Sequence, residues 1–301
     1  MQILINELTK NKELIEKSNN TIRLFHGRGK CFIGFEQVII DFYDPYILVD
    51  CYQPIKNLKD ILATVDNLFP NIQGIFYRFR KDKPIRCQSF KGDIPEKHFA
   101  IWNGLKFEID FCSNQNVGYF LDAENIRLLI QENAKNKDVL NLFAYTCSLS
   151  VIAKSYGAKS VCNVDMNKGV LKIGQRSHAI NNIESSNTSF LSYNIMRSLR
   201  GLENKGKWDL IIVDPPSFQG KSFNLNKDYE TIIKNISNLA KEKCDLVLCI
   251  NSPFVKSDFI INLKEKYLPN YRLSSIFYSP ETFIELNKED GVKIIHLSNS
   301  K

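Results

Sequence analysis

Apolar and polar segments alternate regularly in the second half of the chain, from about residue 117 onward. Short apolar runs rich in Val, Ile and Leu predict buried strands, and the longer amphipathic segments between them predict helices. The predicted strands are 139–145, 160–165, 188–191, 208–213 and 244–250, and the predicted helices fall near 122–134, 148–156, 167–182, 226–241 and 256–266. This alternation predicts an α/β fold with a parallel sheet covered on both faces. Segments 272–278 and 292–297 are expected to form a terminal hairpin.

The first part of the chain has a different pattern. Helices are expected at 1–20 and 58–69, strands at 31–35, 38–42, 46–52, 74–79 and 105–111, and a glycine-containing loop at 23–30. The polar stretch 112–116 reads as a connector. The sequence therefore predicts a small N-terminal α+β domain over residues 1–115 and a larger α/β domain over residues 116–301.

Composition narrows the class of protein. The chain has 301 residues and a formal net charge of +7, which points weakly toward polyanionic partners. No apolar run approaches the length that spans a bilayer, so no membrane partner is expected. The eight cysteines are scattered without a Cys-x-x-Cys pair, and the four histidines lack metal-ligand spacing. This pattern predicts reduced thiols, no metal and a cytoplasmic location.

The sequence Asp214-Pro215-Pro216-Ser217-Phe218 follows the apolar run 210–213. Two consecutive prolines donate no backbone N–H, so the carbonyls of Asp214 and Pro215 are expected to accept hydrogen bonds from a ligand. With the ring of Phe218 nearby, the segment suits a planar nucleobase. The alternative interpretation is a proline-stiffened turn with a core phenylalanine.

A second candidate site lies upstream, where the strand at 139–145 runs into Thr146-Cys147-Ser148. The next strand ends on Asp165, about 20 residues further on, a position suited to binding ribose hydroxyls. The glycine fingerprint for a pyrophosphate is absent, so an adenosine ligand without phosphates, S-adenosylmethionine, fits better. A helix N-cap is the alternative role for Asp165.

These segments resemble a known family. Leu-Asn-Leu-Phe-Ala-Tyr-Thr at 140–146, Asp214–Phe218 and the Gly-Tyr-Phe-Leu-Asp stretch at 118–122 with the downstream Arg127 are similar to the bacterial methyltransferases that modify bases of 23S ribosomal RNA. The resemblance implies a Rossmann-like class I methyltransferase sheet, S-adenosylmethionine as cofactor, ribosomal RNA as partner and, as an open expectation, a homodimer.

The resemblance also implies roles for individual residues. The expected cofactor-binding residues are Asp122, Arg127, Phe143, Ala144, Tyr145, Thr146, Ser148, Asp165, Met166, Asn194, Ile195 and Asp214. The expected catalytic residues are Asp214, Pro215, Phe218 and Asn251, and Tyr229 is a further candidate for stacking on the base.

The target atom is inferred from position 251. Methylation of cytosine at carbon 5 requires a thiolate that first attacks the ring. The carbon-5 members of the family carry this cysteine after the fifth strand, where this chain has Asn251. A base nitrogen, with guanine favoured, is therefore the expected target. Cys249 is interpreted as a core residue, with a displaced nucleophile as the alternative.

Cations and aromatic residues alternate between positions 76 and 86, a composition that suits phosphates and unstacked bases. The expected RNA-binding residues are Arg28, Arg78, Arg80, Lys81 and Arg86. A strand with a solvated basic face is the alternative. Two other functions stay open: methylation of a small molecule or a protein, and RNA binding without turnover.

Overall fold

The computed structural model describes residues 1–82, 84–220 and 222–299, without the side chain of Phe218. The chain forms two compact units, one of residues 1–121 and 280–287 and the other of residues 122–279 and 288–301. The sequence-based division at residue 115 therefore differs from the observed one. In particular, the late segment 280–287 packs with the N-terminal unit, where Leu286 donates its N–H to Gly29 O at 2.8 Å.

The N-terminal unit is built on a five-stranded sheet in the order β1-β2-β3-β4-β5. Its elements are α1 (Gln2–Lys17), β1 (Ile22–His26), β2 (Val38–Tyr43), β3 (Tyr46–Cys51), α2 (Leu58–Leu68), β4 (Gly74–Phe79), β5 (Cys87–Lys91), β6 (His98–Trp102) and β7 (Leu105–Ile109). The strands β3 and β4 are parallel, and β6 and β7 form a separate hairpin. Leu4 and Leu8 of α1 and Ile61 and Val65 of α2 pack into the apolar core of this unit.

Two expectations for this unit are wrong. Residues 31–35 form turns and irregular structure, whereas residues 22–26, which were expected in a loop, form β1. The strand is concealed because Arg23 and His26 are polar residues that become buried through hydrogen bonds, and a pattern of apolar positions does not register such residues. Strands β5 and β6 were also missed.

The C-terminal unit contains a seven-stranded sheet in the order β10-β9-β8-β11-β14-β16-β15. Its strands are β8 (Asp138–Leu142), β9 (Ser160–Asp165), β10 (Thr188–Ser192), β11 (Trp208–Val213), β14 (Ala240–Asn251), β15 (Arg272–Phe277) and β16 (Val292–Ser298), with the short hairpin of β12 (Phe218–Gln219) and β13 (Phe223–Asn224). The helices are α3 (Glu124–Asn133), α4 (Ser148–Ser155), α5 (Lys168–Ile180), α6 (Ile195–Glu203), α7 (Leu225–Leu239) and α8 (Asp258–Tyr267).

Five neighbouring strands of this sheet run parallel, in the spatial order β10, β9, β8, β11 and β14. Strand β16 pairs antiparallel with both β14 and β15. The predicted parallel sheet and terminal hairpin are thus present. Helix α6 and the β12–β13 hairpin were not predicted. Strand β8 ends at Leu142, three residues before the predicted end, because Phe143 and Tyr145 take left-handed backbone angles that leave the strand.

Candidate functional site: the carboxyl edge of the C-terminal sheet

The candidate site lies where the order of the strands reverses. Strand β8 is the first strand of this sheet along the chain, and in the sheet it has β9 on one side and β11 on the other. Parallel strands place their carboxyl ends at one edge, and ligands of such sheets bind in the crevice at this reversal. Residues Phe143, Asp165 and Asp214 directly follow or end these three strands. The topology therefore brings together side chains that are distant in sequence.

The turn after β8 has an unusual backbone. Phe143, Tyr145 and Cys147 have φ angles of 60°, 47° and 58°, the left-handed region that non-glycine residues rarely adopt. Each such residue costs on the order of 1–3 kcal/mol and persists only where its surroundings fix it, often at a ligand site. In this chain, left-handed backbone angles at every second residue from 143 to 147 form the turn that is glycine-rich in a dinucleotide fold. The turn leads directly into the N-terminus of α4.

Asp165 fixes this turn through its carboxylate. One oxygen accepts the N–H of Tyr145 at 2.9 Å, and the other accepts the N–H of Asn167 at 2.9 Å. The helix-capping alternative for Asp165 is wrong, because Asn167 caps α5 and accepts the N–H of Gly169 at 2.8 Å. An ionised carboxylate has about four acceptor sites, so two remain for the hydroxyls of a ribose.

A small cleft opens beside Asp165. It is lined by Phe143, Asp165, Met166, Tyr193, Asn194, Ile195, Met196, Gln219 and Ser222. Five of these residues were predicted to bind the cofactor. Tyr193 and Met196 were missed although they flank Asn194, and Gln219 and Ser222 were missed because the sequence gives no signal for the β12–β13 hairpin.

Asn194 has a second task in this cleft. It is the N-cap of α6, where its side-chain oxygen accepts the N–H of Arg197 at 3.2 Å. A carbonyl oxygen has a second lone pair, so the predicted bond from an adenine amino group remains feasible. The cap fixes the direction of this lone pair relative to the cleft.

Asp214 is the second carboxylate at this edge. Burial, together with the nearby charge of Asp122, raises the pKa of Asp214 to about 7. The carboxylates of Asp122 and Asp214 repel each other when both are ionised, so they favour a cation near them. An adenosine ligand with a positively charged amino acid tail fits this combination of groups: Asp165 suits the ribose and Asp214 suits the ammonium.

Three of the other predicted cofactor-binding residues, Ala144, Thr146 and Ser148, follow Phe143, which lines the cleft. Ala144 and Thr146 are buried in the turn after β8, and Ser148 is the first residue of α4. The Cys147 thiol donates to Tyr145 O, so it does not cap α4, and the helix N-terminus can receive a carboxylate. Arg127 is buried on α3.

The residues that were expected to be catalytic lie at or after the ends of β11 and β14. Ser217 Oγ donates to the backbone oxygen of Asn251, so the loop after β11 is tied to the end of β14. The Asn251 side chain is exposed and Pro215 is buried. The side chain of Phe218, which was expected to stack on the base, lies outside the described residues.

Two further residues of this region are structural. Tyr229 is fully buried, with its hydroxyl 3.2 Å from Cys249 O, so the expectation that it stacks on a base is wrong. Cys249 is also fully buried, and this burial raises the pKa of its thiol well above the usual value. A thiol that stays protonated at neutral pH is a poor nucleophile, which agrees with the interpretation of Cys249 as a core residue.

The predicted RNA-binding cations of the N-terminal unit fall into two groups. Arg78 is 1% exposed, and its guanidinium donates to Asp50 and to the backbone oxygens of Phe111 (2.6 Å) and Asn114 (3.0 Å). The prediction for Arg78 is therefore wrong, since the charge that was assigned to phosphates is neutralised in the interior. Arg80 is largely buried and pairs with Asp50 at 3.2 Å.

The second group stays accessible. Arg28, Lys81 and Arg86 are exposed. Arg28 lies over the ring of Tyr52, with 4.1 Å between its guanidinium carbon and the ring centroid, and the guanidinium carbon of Arg80 lies 5.2 Å from the same centroid. The cations and this half-buried ring form a mixed surface that sequence analysis had recognised only in part, because Tyr52 was assigned to a strand and not to the site.

The fold and the site define a class of protein. A Rossmann-like sheet with an added antiparallel strand pair, an acidic residue after the second parallel strand and an Asp-Pro-Pro loop after the fourth is the arrangement of a class I methyltransferase. The family model for S-adenosylmethionine-dependent methyltransferases matches residues 22–298. The chain belongs to this family, and S-adenosylmethionine is its cofactor.

Comparisons with individual proteins agree with this assignment. The chain is 30% identical over 292 residues to ribosomal RNA large subunit methyltransferase K/L of Psychrobacter cryohalolentis, an alignment that covers 88% of this chain and 37% of the relative. It is 30% identical over 205 residues to ribosomal RNA large subunit methyltransferase I of Alteromonas mediterranea, covering 64% of this chain and 51% of the relative. The chain thus spans between about a third and a half of the length of these curated relatives.

Solved structures share the fold. A crystal structure of a protein described as a methyltransferase and complexed with SAH matches with a TM-score of 0.87 at 23% identity, over 99% of this chain and 81% of that chain. A SAM-dependent methyltransferase from Agrobacterium tumefaciens matches with a TM-score of 0.67 at 18% identity, over 87% of both chains. Within the described part of the chain, none of the helices combines the length and the apolar character needed to cross a membrane.

Proposed function

We propose that this chain methylates a base nitrogen of ribosomal RNA, with guanine favoured, and that it does so without a covalent cysteine intermediate. The observation that carries the proposal is the end of β14, where the exposed Asn251 stands at the position of the family's nucleophilic cysteine. The nearest thiol in sequence, Cys249, is buried and protonated. A base nitrogen needs no thiolate, because its own lone pair attacks the sulfonium methyl group while the S–CH3 bond breaks and S-adenosylhomocysteine leaves. An exocyclic amine also loses one proton to solvent, and alignment supplies much of the acceleration.

Ribosomal RNA is supported as the substrate by several observations. Both relatives named above are described as methyltransferases of large-subunit ribosomal RNA, which supports 23S RNA as the proposed substrate. The formal charge of +7 favours a polyanion. The exposed Arg28 beside Tyr52 offers a cation for phosphate and a ring for an unstacked base.

The donor is held by residues that line the cleft, Asp165, Met166 and Asn194, and by further predicted cofactor-binding residues outside its lining. Asp165 accepts hydrogen bonds from both ribose hydroxyls while its backbone bonds keep the turn after β8 in place. Asp214, with Asp122, attracts the methionine ammonium, and Thr146 and Ser148 at the start of α4 bind the carboxylate. Met166 packs on the adenine, and Asn194 accepts its amino group.

The base is held on the other side of the reacting methyl group. The Pro215 carbonyl accepts from an exocyclic amine of the base, and the Asn251 amide pairs with a purine edge. Phe218 supplies a stacking ring for a base that has been turned out of its helix. These contacts orient a planar heterocycle, which distinguishes the proposed substrate from a flexible peptide side chain.

Nucleoside mass spectrometry tests the proposal. The protein is incubated with isotope-labelled S-adenosylmethionine and an in vitro transcript of large-subunit ribosomal RNA, and the digested nucleosides are analysed. We expect label in a methylguanosine. Label in 5-methylcytidine would overturn the proposed target, and absence of label from both the transcript and ribosomal particles would overturn the RNA substrate.

Two variants sharpen this test. Asn251→Ala is expected to lower the transfer rate and leave donor affinity unchanged, because Asn251 contacts only the base. Cys249→Ala is expected to retain transfer. If Cys249→Ala folds, binds donor and has lost all transfer, the thiol is the nucleophile after all.

The location and assembly of the protein follow as further parts of the proposal. We propose a cytoplasmic protein, because ribosomal RNA is modified there, and a homodimer. Light scattering coupled to size-exclusion chromatography tests the homodimer, and a mass of 34.7 kDa, that of one chain, would exclude it.

A further inference from the structure

The loop between β14 and α8 presents an exposed aromatic ring. Phe254 is 90% exposed, the highest value among the exposed large hydrophobic residues that the structure describes. It lies three residues after Asn251 in the sequence Asn251-Ser252-Pro253-Phe254. Exposure of a whole phenylalanine ring opposes the hydrophobic effect, since burial of such an apolar side chain is favourable. The position therefore calls for an explanation.

The backbone on both sides of Phe254 is held in place. The buried Lys293 donates from Nζ to Ser252 O, and also to the backbone oxygens of Glu289 and Gly291 at 2.9 Å each. The hydroxyl of Ser252 accepts the N–H of Phe254 at 3.3 Å. The ring thus projects from a loop whose backbone is held by hydrogen bonds.

The far side of the loop is fixed in the same way. The carboxylate of Glu289 accepts the N–H of Ser257 at 2.9 Å and its hydroxyl at 2.7 Å. Val255, the neighbour of Phe254, is buried in the core of the C-terminal unit. A preorganised ring loses little conformational entropy when it binds a partner, which is the property of an effective binding residue.

The loop also adjoins the candidate transfer site. Ser217, in the segment that begins at Asp214, donates its hydroxyl to Asn251 O. The loop that carries Phe254 therefore starts at the residue that is tied to the proposed base-binding segment. The loop follows the carboxyl end of β14, at the same edge of the sheet as the proposed base-binding segment.

We propose that Phe254 is a substrate-binding residue that stacks on an unpaired nucleobase of the RNA near the target nucleotide. This inference rests on the proposed function, since it requires an RNA substrate. A base is favoured as the occupant because a single planar ring beside a base-binding segment matches one base face. Stacking of this kind tolerates any sequence, because every base has a planar face.

Steady-state methylation of the large-subunit RNA transcript tests the inference. Phe254→Ala is expected to lower kcat/KM about tenfold or more, through KM, and Phe254→Tyr to restore most of it. Phe254→Leu is expected to resemble Phe254→Ala, because it keeps apolar surface and removes the ring. Leu273→Ala, which removes an exposed apolar side chain of β15, serves as the matched control and should leave kcat/KM unchanged. Donor affinity should be the same in all five proteins.

A direct binding measurement uses fluorescence. Phe254→Trp places an indole at the proposed stacking position, and titration with a short unpaired oligoadenylate should quench the added emission relative to the parent protein. The two natural tryptophans, Trp102 and Trp208, are buried and supply a constant background.

The outcomes separate this inference from the proposed function. If the parent protein methylates RNA and Phe254→Ala has the same kcat/KM, the stacking inference is wrong and the proposed function stands. If Phe254→Leu is as active as the parent, apolar surface without an aromatic ring is sufficient at this position, which also overturns stacking. If the parent protein neither binds nor methylates RNA, both fail together.

Discussion

Two groups of side chains, each assigned to a ligand from sequence alone, have different places in the structure. Phe143, Asp165 and Asp214 follow or end neighbouring parallel strands of the C-terminal unit and meet at one edge of its sheet. Arg78 and Arg80, within and just after β4 of the N-terminal unit, instead turn toward Asp50 and become part of the interior.

The difference lies in what fixes the direction of each side chain. The carboxyl end of a parallel strand faces the ligand crevice whichever residue stands there. A polar residue at that point therefore indicates a ligand-binding position. A residue inside a strand points to one of two faces, and a mixed sequence such as 76–80 does not show which face is covered. Arg78 lies on the covered face, and its charge is compensated by Asp50.

The largest expected effect concerns Arg78. Arg78→Ala leaves Asp50 buried without its main partner, and breaking such a pair costs about 3–5 kcal/mol. Arg80 also contacts Asp50, so we expect a loss near the lower end of this range, measured as the free energy of unfolding in urea. Arg86→Ala, an exposed arginine in the same unit, is the control and should change stability by less than about 0.5 kcal/mol. An equal loss in the free energy of unfolding in both variants would show that Arg78 contributes no more to stability than an exposed arginine does.

Asp165→Ala tests the other group of residues. It removes the acceptor for two ribose hydroxyls and releases the N–H of Tyr145, and hydrogen bonds to a charged group are worth about 1.5–3 kcal/mol each. Affinity for S-adenosylhomocysteine, measured by isothermal titration, should fall at least about 100-fold.

The control for this variant is Asp258→Ala, which removes an exposed aspartate from the first turn of α8. It should bind S-adenosylhomocysteine as the parent does. Normal affinity in Asp165→Ala would show that the adenosine lies elsewhere.

Asp214→Asn should change the pH dependence of stability. The pKa of Asp214 is raised to about 7 in the folded protein, above its unfolded value near 3.9. Its contribution to stability is therefore fully present below the unfolded pKa and is lost as pH rises to about 7. The Tm advantage of Asp214→Asn over the parent should grow between about pH 4 and about pH 7 and then level off. A difference in Tm that does not change with pH would show that folding does not raise the pKa of Asp214.

The same residue should make donor binding pH-dependent. The donor ammonium favours the ionised carboxylate, so the affinity of the parent protein should increase about tenfold between about pH 5.5 and about pH 7.5. In Asp214→Asn this slope should be absent. A parent protein whose affinity does not change with pH would place the ammonium away from Asp214.

The smallest effect concerns Arg28 in the N-terminal unit. Removal of one phosphate contact by Arg28→Ala should weaken RNA binding a few-fold and reduce the salt dependence by about one unit in slope. The matched variant Arg28→Lys should keep the slope, since it keeps the charge. Stability should change little, in contrast to Arg78→Ala. If RNA affinity and slope are the same in all three proteins, Arg28 does not contact RNA.

Sequence analysis recovered those features that depend on local patterns. The apolar strands, their alternation with helices and the acidic residue at 165 were accessible because each is a short pattern with one dominant structural outcome. The left-handed angles at Phe143, Tyr145 and Cys147 were not accessible, because they depend on the bond from Tyr145 N–H to Asp165. The covering hairpin with Gln219 and Ser222 was also missed, since its strands of two residues are shorter than any recognisable period.

Burial of polar residues was the second source of error. Arg23, His26 and Arg78 read as loop or surface residues, yet each is buried in a hydrogen-bonded group that only the folded chain assembles. The partner of Arg23 and Arg78 is an aspartate at least 18 residues away, so no local pattern indicates the pairing. The end of a strand can be recognised from sequence, whereas the compensation of a buried charge cannot.

A crystal structure of the protein with S-adenosylhomocysteine tests the central claim most directly. The account predicts adenosine in the cleft beside Met166 and Asn194, both ribose hydroxyls on the carboxylate of Asp165, and the amino group of the ligand at Asp214. A nucleoside bound away from Asp165, or an amino group directed away from Asp214, would contradict it.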